Sequence, residues 1–330
     1  MDQSPKAGFR ETRRAGMRMG RTLRMVAQNV AVYGVAGAII WYEARGIPLR
    51  KLLSSLAHAN LLWFIPATVL SFCISLFGAN LLYARAFSHF HRRTGYWELL
   101  AATAAAFFLQ AINSLVADGS LVLFLNRRKD IPWLAGGFTM TFLGFIDGFV
   151  FSLLALLSAL LIPDSPMRRY LPYAAGAFAF FSLIAAWWLW RRPTTRFERW
   201  LRNRPALVSF RTARLRVYLE LGAIRLGMFV PQGFILYVAM LAFKIQVTLL
   251  TVLALTPAIL IAGNVPITPV GLGPLQALAV HEFSRFASAP QVLAMFLSMS
   301  VLLLLYRLPL GLGSAGAYAR AVLASGHRHK

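Results

Sequence analysis

Ile261–Gln276 reads IAGNVPITPVGLGPLQ, and how this stretch is read decides the fold. An apolar run ends at Gly263. Asn264 follows, then Pro266, Pro269 and Pro274 interleaved with Gly271 and Gly273. Proline removes a backbone donor and glycine tolerates positive φ, so no continuous helix crosses the segment. A second apolar run follows, with His281, Glu282 and Arg285 at its far end. Between apolar flanks, broken backbone survives at membrane depth only where protein buries it or where it lines a wet cavity. The stretch therefore reads as the tip of a re-entrant hairpin, two half-helices meeting inside the membrane, an arrangement that transporters use at substrate sites. The plainer alternative is a surface loop between two short spans.

The surrounding composition supports a membrane setting. Of 330 residues, 58% are hydrophobic and only 14% charged, with a formal net charge of +23. Soluble domains carry about 25% charged residues. This is the profile of an all-α polytopic membrane protein. Its basic residues lie in loops, which points to anionic lipid headgroups and not to nucleic acid. Cys73 stands alone in an apolar run and permits no intrachain disulfide. Seven basic residues (Lys6, Arg10, Arg13, Arg14, Arg18, Arg21, Arg24) precede the apolar run Val26–Trp41. No small-residue cleavage site follows that run, so it reads as an uncleaved first span.

A spanning helix needs ~20 apolar residues. Six segments qualify: 26–43, 58–84, 134–162, 171–190, 220–243 and 290–310. Two apolar regions do not fit as single spans: 99–126, interrupted by NSLVADGS (Asn113–Ser120), and 246–288, interrupted by the opening stretch. Arg85, Arg92 and Arg93 precede the first region, and Arg127, Arg128 and Lys129 follow it. One crossing would put these clusters on opposite sides, against the positive-inside rule. A hairpin entering and leaving from the cytoplasmic side keeps twenty-five of the 34 basic residues inside, with six outside.

This tracing makes the halves inverted copies: span, span, hairpin from inside, span; then span, span, hairpin from outside, span. Such inverted repeats build transport sites at the midplane. The expected architecture is six spanning helices plus two oppositely oriented re-entrant hairpins. It divides into a basic cytoplasmic N-terminus (1–25), a first repeat (26–163) with hairpin 99–126, and the first span of the second repeat (164–190). A basic cytoplasmic loop (191–219), the rest of the second repeat (220–310) with hairpin 246–288, and a cytoplasmic tail (311–330) complete it. The loop 191–219 reads either as a helix lying on anionic lipid or as a solvated connector.

At these motifs the chain resembles the transmembrane flippase-like domain of bacterial lysylphosphatidylglycerol synthases and their stand-alone relatives, over about residues 20–320. NVPITPVGLGPLQ is similar to the family's late Pro/Gly-rich break, with Val270 at its first glycine and Gln276 where a glutamate is expected. VLLLLYRLPLGLG, with Arg307, resembles the span that follows. NSLVADGS keeps Asn113 and Gly119 of an earlier motif but lacks its proline and glutamate, and Asp147 in GFIDGF stands where the family has an Arg-Leu-Leu-Asp-like run. The resemblance implies two re-entrant hairpins and movement of a phospholipid between leaflets in the bacterial cytoplasmic (inner) membrane, and the distribution of basic residues places both termini in the cytoplasm. It leaves no room in this chain for an aminoacyl-transferring domain.

The expected substrate-binding residues are Asn113, Asp118, Gly119, Asp147, Arg225, Asn264, Pro266, Thr268, Pro269, Gly271, Gly273, Gln276, Glu282 and Arg307. Ionisable groups in a bilayer are functional candidates. Asp118 reads either as a partner for a cationic headgroup or an arginine, or as a helix N-cap. Asp147 is either functional or half of a buried ion pair. Arg225 either snorkels to the surface or binds lipid phosphate, and Arg307, with apolar flanks, is the better phosphate ligand. Glu282 with His281 and Arg285 reads either as a phosphate or headgroup site at the outer face or as a solvated helix end, and His89 and His91 read as surface residues. No catalytic or metal-binding motif occurs, and no cofactor is implied. The expected function is a phospholipid translocase for an anionic or zwitterionic headgroup. The alternatives are a lipid-modifying membrane enzyme, a non-transporting partner of a lipid synthase, or a proton-coupled small-solute carrier. A lipid-synthase partner and a homo-oligomer are both compatible with the sequence.

Overall fold

A computed structural model describes residues 49–110, 114–161, 171–191, 195, 196, 198, 205–264 and 273–325. All regular structure among them is helical. The helices are α1 (Leu49–Ala57), α2 (Leu61–Phe90), α3 (Tyr96–Gln110), α4 (Ser114–Lys129), α5 (Trp133–Leu161) and α6 (Leu171–Trp190). They continue as α7 (Pro205–Thr212), α8 (Leu215–Ala242), α9 (Leu249–Asn264), α10 (Pro274–Phe283) and α11 (Ala289–Ser325). Four carry stretches long and apolar enough to cross a membrane: Leu61–Phe90, Trp133–Ser158, Leu215–Ala242 and Ala289–Gly311. The predicted first span, 26–43, lies outside the described residues.

Helix α2 runs antiparallel to α8 at the centre. The start of α2 meets the end of α8, where Asn60 N–H donates to Ala242 O at 2.8 Å. At the other end His89 Nε2 lies 3.0 Å from Glu220 Oε2. The crossing is tight because glycine stands there: a Cβ on Gly78 would meet Met228 Cγ at 2.5 Å. A polar staple fixes it. Ser71 Oγ donates to Gln232 Oε1 at 2.6 Å, and Gln232 Nε2 donates to Ser71 O and to Ser75 Oγ, both at 3.0 Å. A buried amide satisfied on both sides specifies one register between two otherwise apolar helices.

Helices α3 and α4 pack on one another, and so do α9 and α10. At ~1.5 Å per residue the 15 residues of α3 extend ~22 Å, too short for a ~30 Å hydrocarbon core. The first pair opens at the end of α2: Lys129 Nζ lies 2.8 Å from Glu98 Oε2, and Arg92 Nη1 lies 3.3 Å from Asp130 Oδ2. The second pair opens at the opposite end, where Phe243, Val252, Phe283 and Val292 share one apolar core.

The packing pattern repeats when the halves are exchanged. Helix α3 packs on α2 and α11, as α9 packs on α8 and α5; α4 packs on α5 as α10 packs on α11; α1 packs on α11 as α7 packs on α5. The matched helices thus have matched neighbours. The two helix pairs are wedged between their own half and the long last helix of the other.

Three boundaries differ from expectation. NSLVADGS was expected to break the chain, yet α4 is helical from Ser114, with Asp118 and Gly119 inside it. The segment has no proline, and one glycine costs a helix only ~1 kcal/mol. Asp118 is therefore not an N-cap. Helix α8 starts at Leu215 and not near 220, and α11 continues to Ser325, because helical hydrogen bonding extends past the apolar stretch. Within the predicted 191–219 loop, α7 packs on α5, with Phe210 against Phe142 at 5.0 Å and Phe145 at 5.4 Å. That portion is helical and anchored on α5.

Candidate functional site

Two polar loci interrupt the apolar interior. The first gathers Tyr83 of α2, Asp118 of α4, Asp147 of α5 and Arg225 of α8, which lie within electrostatic reach of one another. Arg225 Nη2 donates to Asp147 Oδ2 at 2.7 Å, and its Nε pairs with Asp147 Oδ1. The guanidinium also lies 5.7 Å from the centroid of the Phe229 ring. Arg225 thus turns inward to a carboxylate and does not snorkel. A two-pronged Arg–carboxylate pair fixes geometry as well as charge. Gly148 beside it lets α6 approach, since a Cβ there would meet Phe178 Cζ at 2.5 Å. Asp118 makes no hydrogen bond or ion pair among the described residues.

The second locus is Arg307 of α11. Its Nε and Nη1 are buried and have no hydrogen-bond partner among the described residues. The guanidinium stacks against the Phe107 ring of α3, 5.8 Å from the centroid. That ring belongs to an apolar cluster with Phe72, Leu76, Leu303, Tyr306 and Leu310. Helices α3 and α11 approach closely here: a Cβ on Gly311 would lie 2.2 Å from Phe108 Cγ. A guanidinium in apolar surroundings with unused donors is a costly arrangement unless an anion answers it.

At the start of α10, Gly273 has φ 99°, a conformation open to glycine and strained for other residues. Its N–H donates to Gln276 Oε1 at 2.7 Å, and Gln276 Nε2 donates to Ser300 Oγ at 3.0 Å. Gln276 is fully buried. Its amide is occupied at both ends, so it ties the helix start to α11. Pro274 follows at the first helical position, where no N–H is needed. Helix α9 ends at Asn264, as the sequence predicts.

One reading placed Glu282 at a solvated end, but its side chain is wholly buried and accepts from Arg285 Nη2 at 2.6 Å. The helix end is closed over by α11, so the carboxylate needs that partner. His281 is exposed. Neither expected surface histidine is simply solvated. His89 joins Arg85 in holding Glu220, and His91 Nε2 lies 2.8 Å from Thr139 Oγ1. Gly119 sits in α4 with nothing within 4 Å of an added Cβ. Asn113, Pro266, Thr268, Pro269 and Gly271 lie outside the described residues, as does the Asn264 side chain.

Sequence reasoning missed Tyr83, Phe107 and the Ser71–Gln232–Ser75 staple. Gln232 was detectable as an uncharged amide in an apolar span; the aromatic residues gave no such sign. Residues 29–313 match the family described as the lysylphosphatidylglycerol synthase TM region. The chain belongs to that family. No curated protein matches it. As a member of the lysylphosphatidylglycerol synthase TM region family, it carries the buried Arg307 in the part of the chain the match covers.

Proposed function

We propose that the chain is a lipid translocase of the bacterial cytoplasmic membrane, with both termini cytoplasmic. It would carry a phospholipid headgroup between leaflets while the acyl tails stay in the bilayer. The observation that carries this reading is Arg307, whose buried Nε and Nη1 have no hydrogen-bond partner among the described residues. A lipid phosphate supplies the missing charge and acceptors. The short hairpins α3–α4 and α9–α10, opening at opposite ends, support the rest. On this reading the two pairs enter the membrane from opposite faces. Helix starts at the tips add amide donors that favour an anion. No step in this task breaks a covalent bond, so we read the chain as a carrier and not an enzyme.

The test is a leaflet-resolved assay on purified protein in vesicles, with reporter lipids of several headgroups. The protein alone should accelerate exchange over empty vesicles. Arg307→Gln removes charged hydrogen bonds of ~1.5–3 kcal/mol each, so the rate should fall at least about tenfold. Gly273→Leu should insert normally yet lose transport, because leucine does not hold φ 99°. Parental rates in both variants, or no acceleration by the parent, would refute the reading.

A further inference from the structure

The Tyr83–Asp118–Asp147–Arg225 locus is not electrically balanced. Arg225 is committed to Asp147 through two of its nitrogens. Asp118 shares the same field and has no hydrogen bond or ion pair among the described residues. Two carboxylates and one guanidinium leave one negative charge over. The charged and titratable groups on neighbouring helices do not cancel it. On α3, Glu98 pairs with Lys129 at the open end of the hairpin. On α11, Arg307 lies against Phe107 and joins neither carboxylate. On α2, Tyr83 offers only a hydroxyl, while Arg85 and His89 are engaged with Glu220 of α8; the remaining groups facing the locus are Asp147 of α5 and Arg225 of α8 themselves.

An excess charge among apolar helices is expensive, and carboxylates sharing one site relieve it by holding a proton. A metal ion fits poorly, because no group of three or more His, Cys, Asp or Glu is gathered among the described residues. Arg225 contacts Asp147 directly, so the carboxylate left to take the proton is the other one. We propose that Asp118 is a proton-binding site that takes up one proton and releases it as a headgroup passes, coupling lipid movement to a proton gradient. The step is balanced: a carboxylate gains one proton to become the acid, then returns it. The proposal rests on the translocase reading above, but the proton site can be tested apart from it.

Infrared difference spectroscopy on the parent protein in lipid should show a protonated-carboxyl band that disappears on alkalinisation. Asp118→Asn should lack that band. Asp147→Asn should lack it too, because Asp118 then inherits Arg225 and stays ionised. In vesicles, an imposed pH gradient should change the parent's lipid exchange several-fold, and Asp118→Asn should not respond to the gradient. Absence of the band in the parent overturns the proton site. Its absence with exchange that depends on an amine headgroup, or on a sodium gradient, assigns the site to that cation instead. A band with exchange indifferent to pH gradients overturns the coupling. A band in a protein that moves no lipid sinks the translocase reading and leaves the proton site standing.

Discussion

Gln276→Ala probes the link between the sequence break and the long helix α11. The parent side chain makes two buried hydrogen bonds, from Gly273 N–H at 2.7 Å and to Ser300 Oγ at 3.0 Å. Truncation leaves them unequal. Ser300 Oγ still donates to Phe296 O at 2.9 Å, so it keeps a partner. Gly273 N–H loses its acceptor at the start of a helix, where the first N–H groups have no intrahelical partner. One orphaned buried donor costs ~1–3 kcal/mol, and ~2 kcal/mol is a ~30-fold loss in the folded-to-unfolded ratio. Gln276→Glu sharpens the test. The protonated acid can accept from Gly273 and donate to Ser300, whereas the ionised acid does only the first and brings in a buried charge. This variant should therefore be near-parental at pH 5 and weaker at pH 8. Equilibrium unfolding of the purified protein, monitored in parallel by size exclusion, gives both numbers. A loss of less than ~0.5 kcal/mol for Gln276→Ala, the scale of ordinary surface substitutions, would refute the claim that this amide holds the α10 start in place.

Three further outcomes follow from the same geometry. Arg225→Gln should destabilise by ~2–4 kcal/mol, less than a fully buried pair because Asp147 keeps 27% of its side-chain exposure, and Asp147→Asn should cost less than that because Asp118 then answers Arg225. The double variant should cost at least ~1 kcal/mol less than their sum, and additivity would deny the coupling. Gly311→Ala should push α3 and α11 apart, because Phe108 Cβ stands 2.5 Å from the new methyl and cannot swing aside as a ring tip would. A loss of ~1–3 kcal/mol is expected, and an unchanged melting temperature would contradict the close approach. Burial holds His91 below the usual imidazole range, partly offset by its hydrogen bond to Ala135. Neutral His91 is the folded form, so its contribution is present above pH ~6.5 and lost as pH falls below that value. His91→Gln should flatten that acid limb of the stability profile, and an unaltered slope would exclude His91 as its source.

The apolar periodicity and punctuation were readable because they are local. Asn264 ends α9 and Pro274 opens α10 where the Pro/Gly run says they must. Helix ends away from such punctuation were not readable to the residue. Hydropathy marks where a chain is apolar, whereas α8 and α11 extend wherever backbone bonds can continue. The first break was drawn too wide for the same reason, as polar residues were taken for helix breakers in a segment that contains no proline. The candidate site was half legible. Isolated charges in apolar runs picked out Asp118, Asp147, Arg225 and Arg307, but not their pairing. Asp147 and Arg225 are separated by 78 positions, and nothing local joins them. Gln276 and Glu282 were read as ligand-binding candidates from type and place, and neither reading revealed their partners inside the protein, Gly273 and Ser300 for Gln276 and Arg285 for Glu282.

Within the described apolar helices the charges divide by whether a partner was built for them. Asp147 has Arg225, and buried Glu282 has Arg285. Those two pairs can be understood as structure, since breaking either leaves an uncompensated charge. Asp118 and Arg307 are different. Neither has an opposite charge in contact, and they carry opposite signs. They also sit in separate loci, one beside the first hairpin's second helix and α5, the other between α3 and α11. A fold selected for stability alone would lose energy by keeping either, because leucine or methionine would fill the same space without the desolvation cost. Departures of this kind from local consistency collect where a protein must act on something outside itself. A ligand that brings a negative phosphate to Arg307 while a proton settles Asp118 removes both imbalances together, which is the arrangement expected of a carrier that is most stable when loaded.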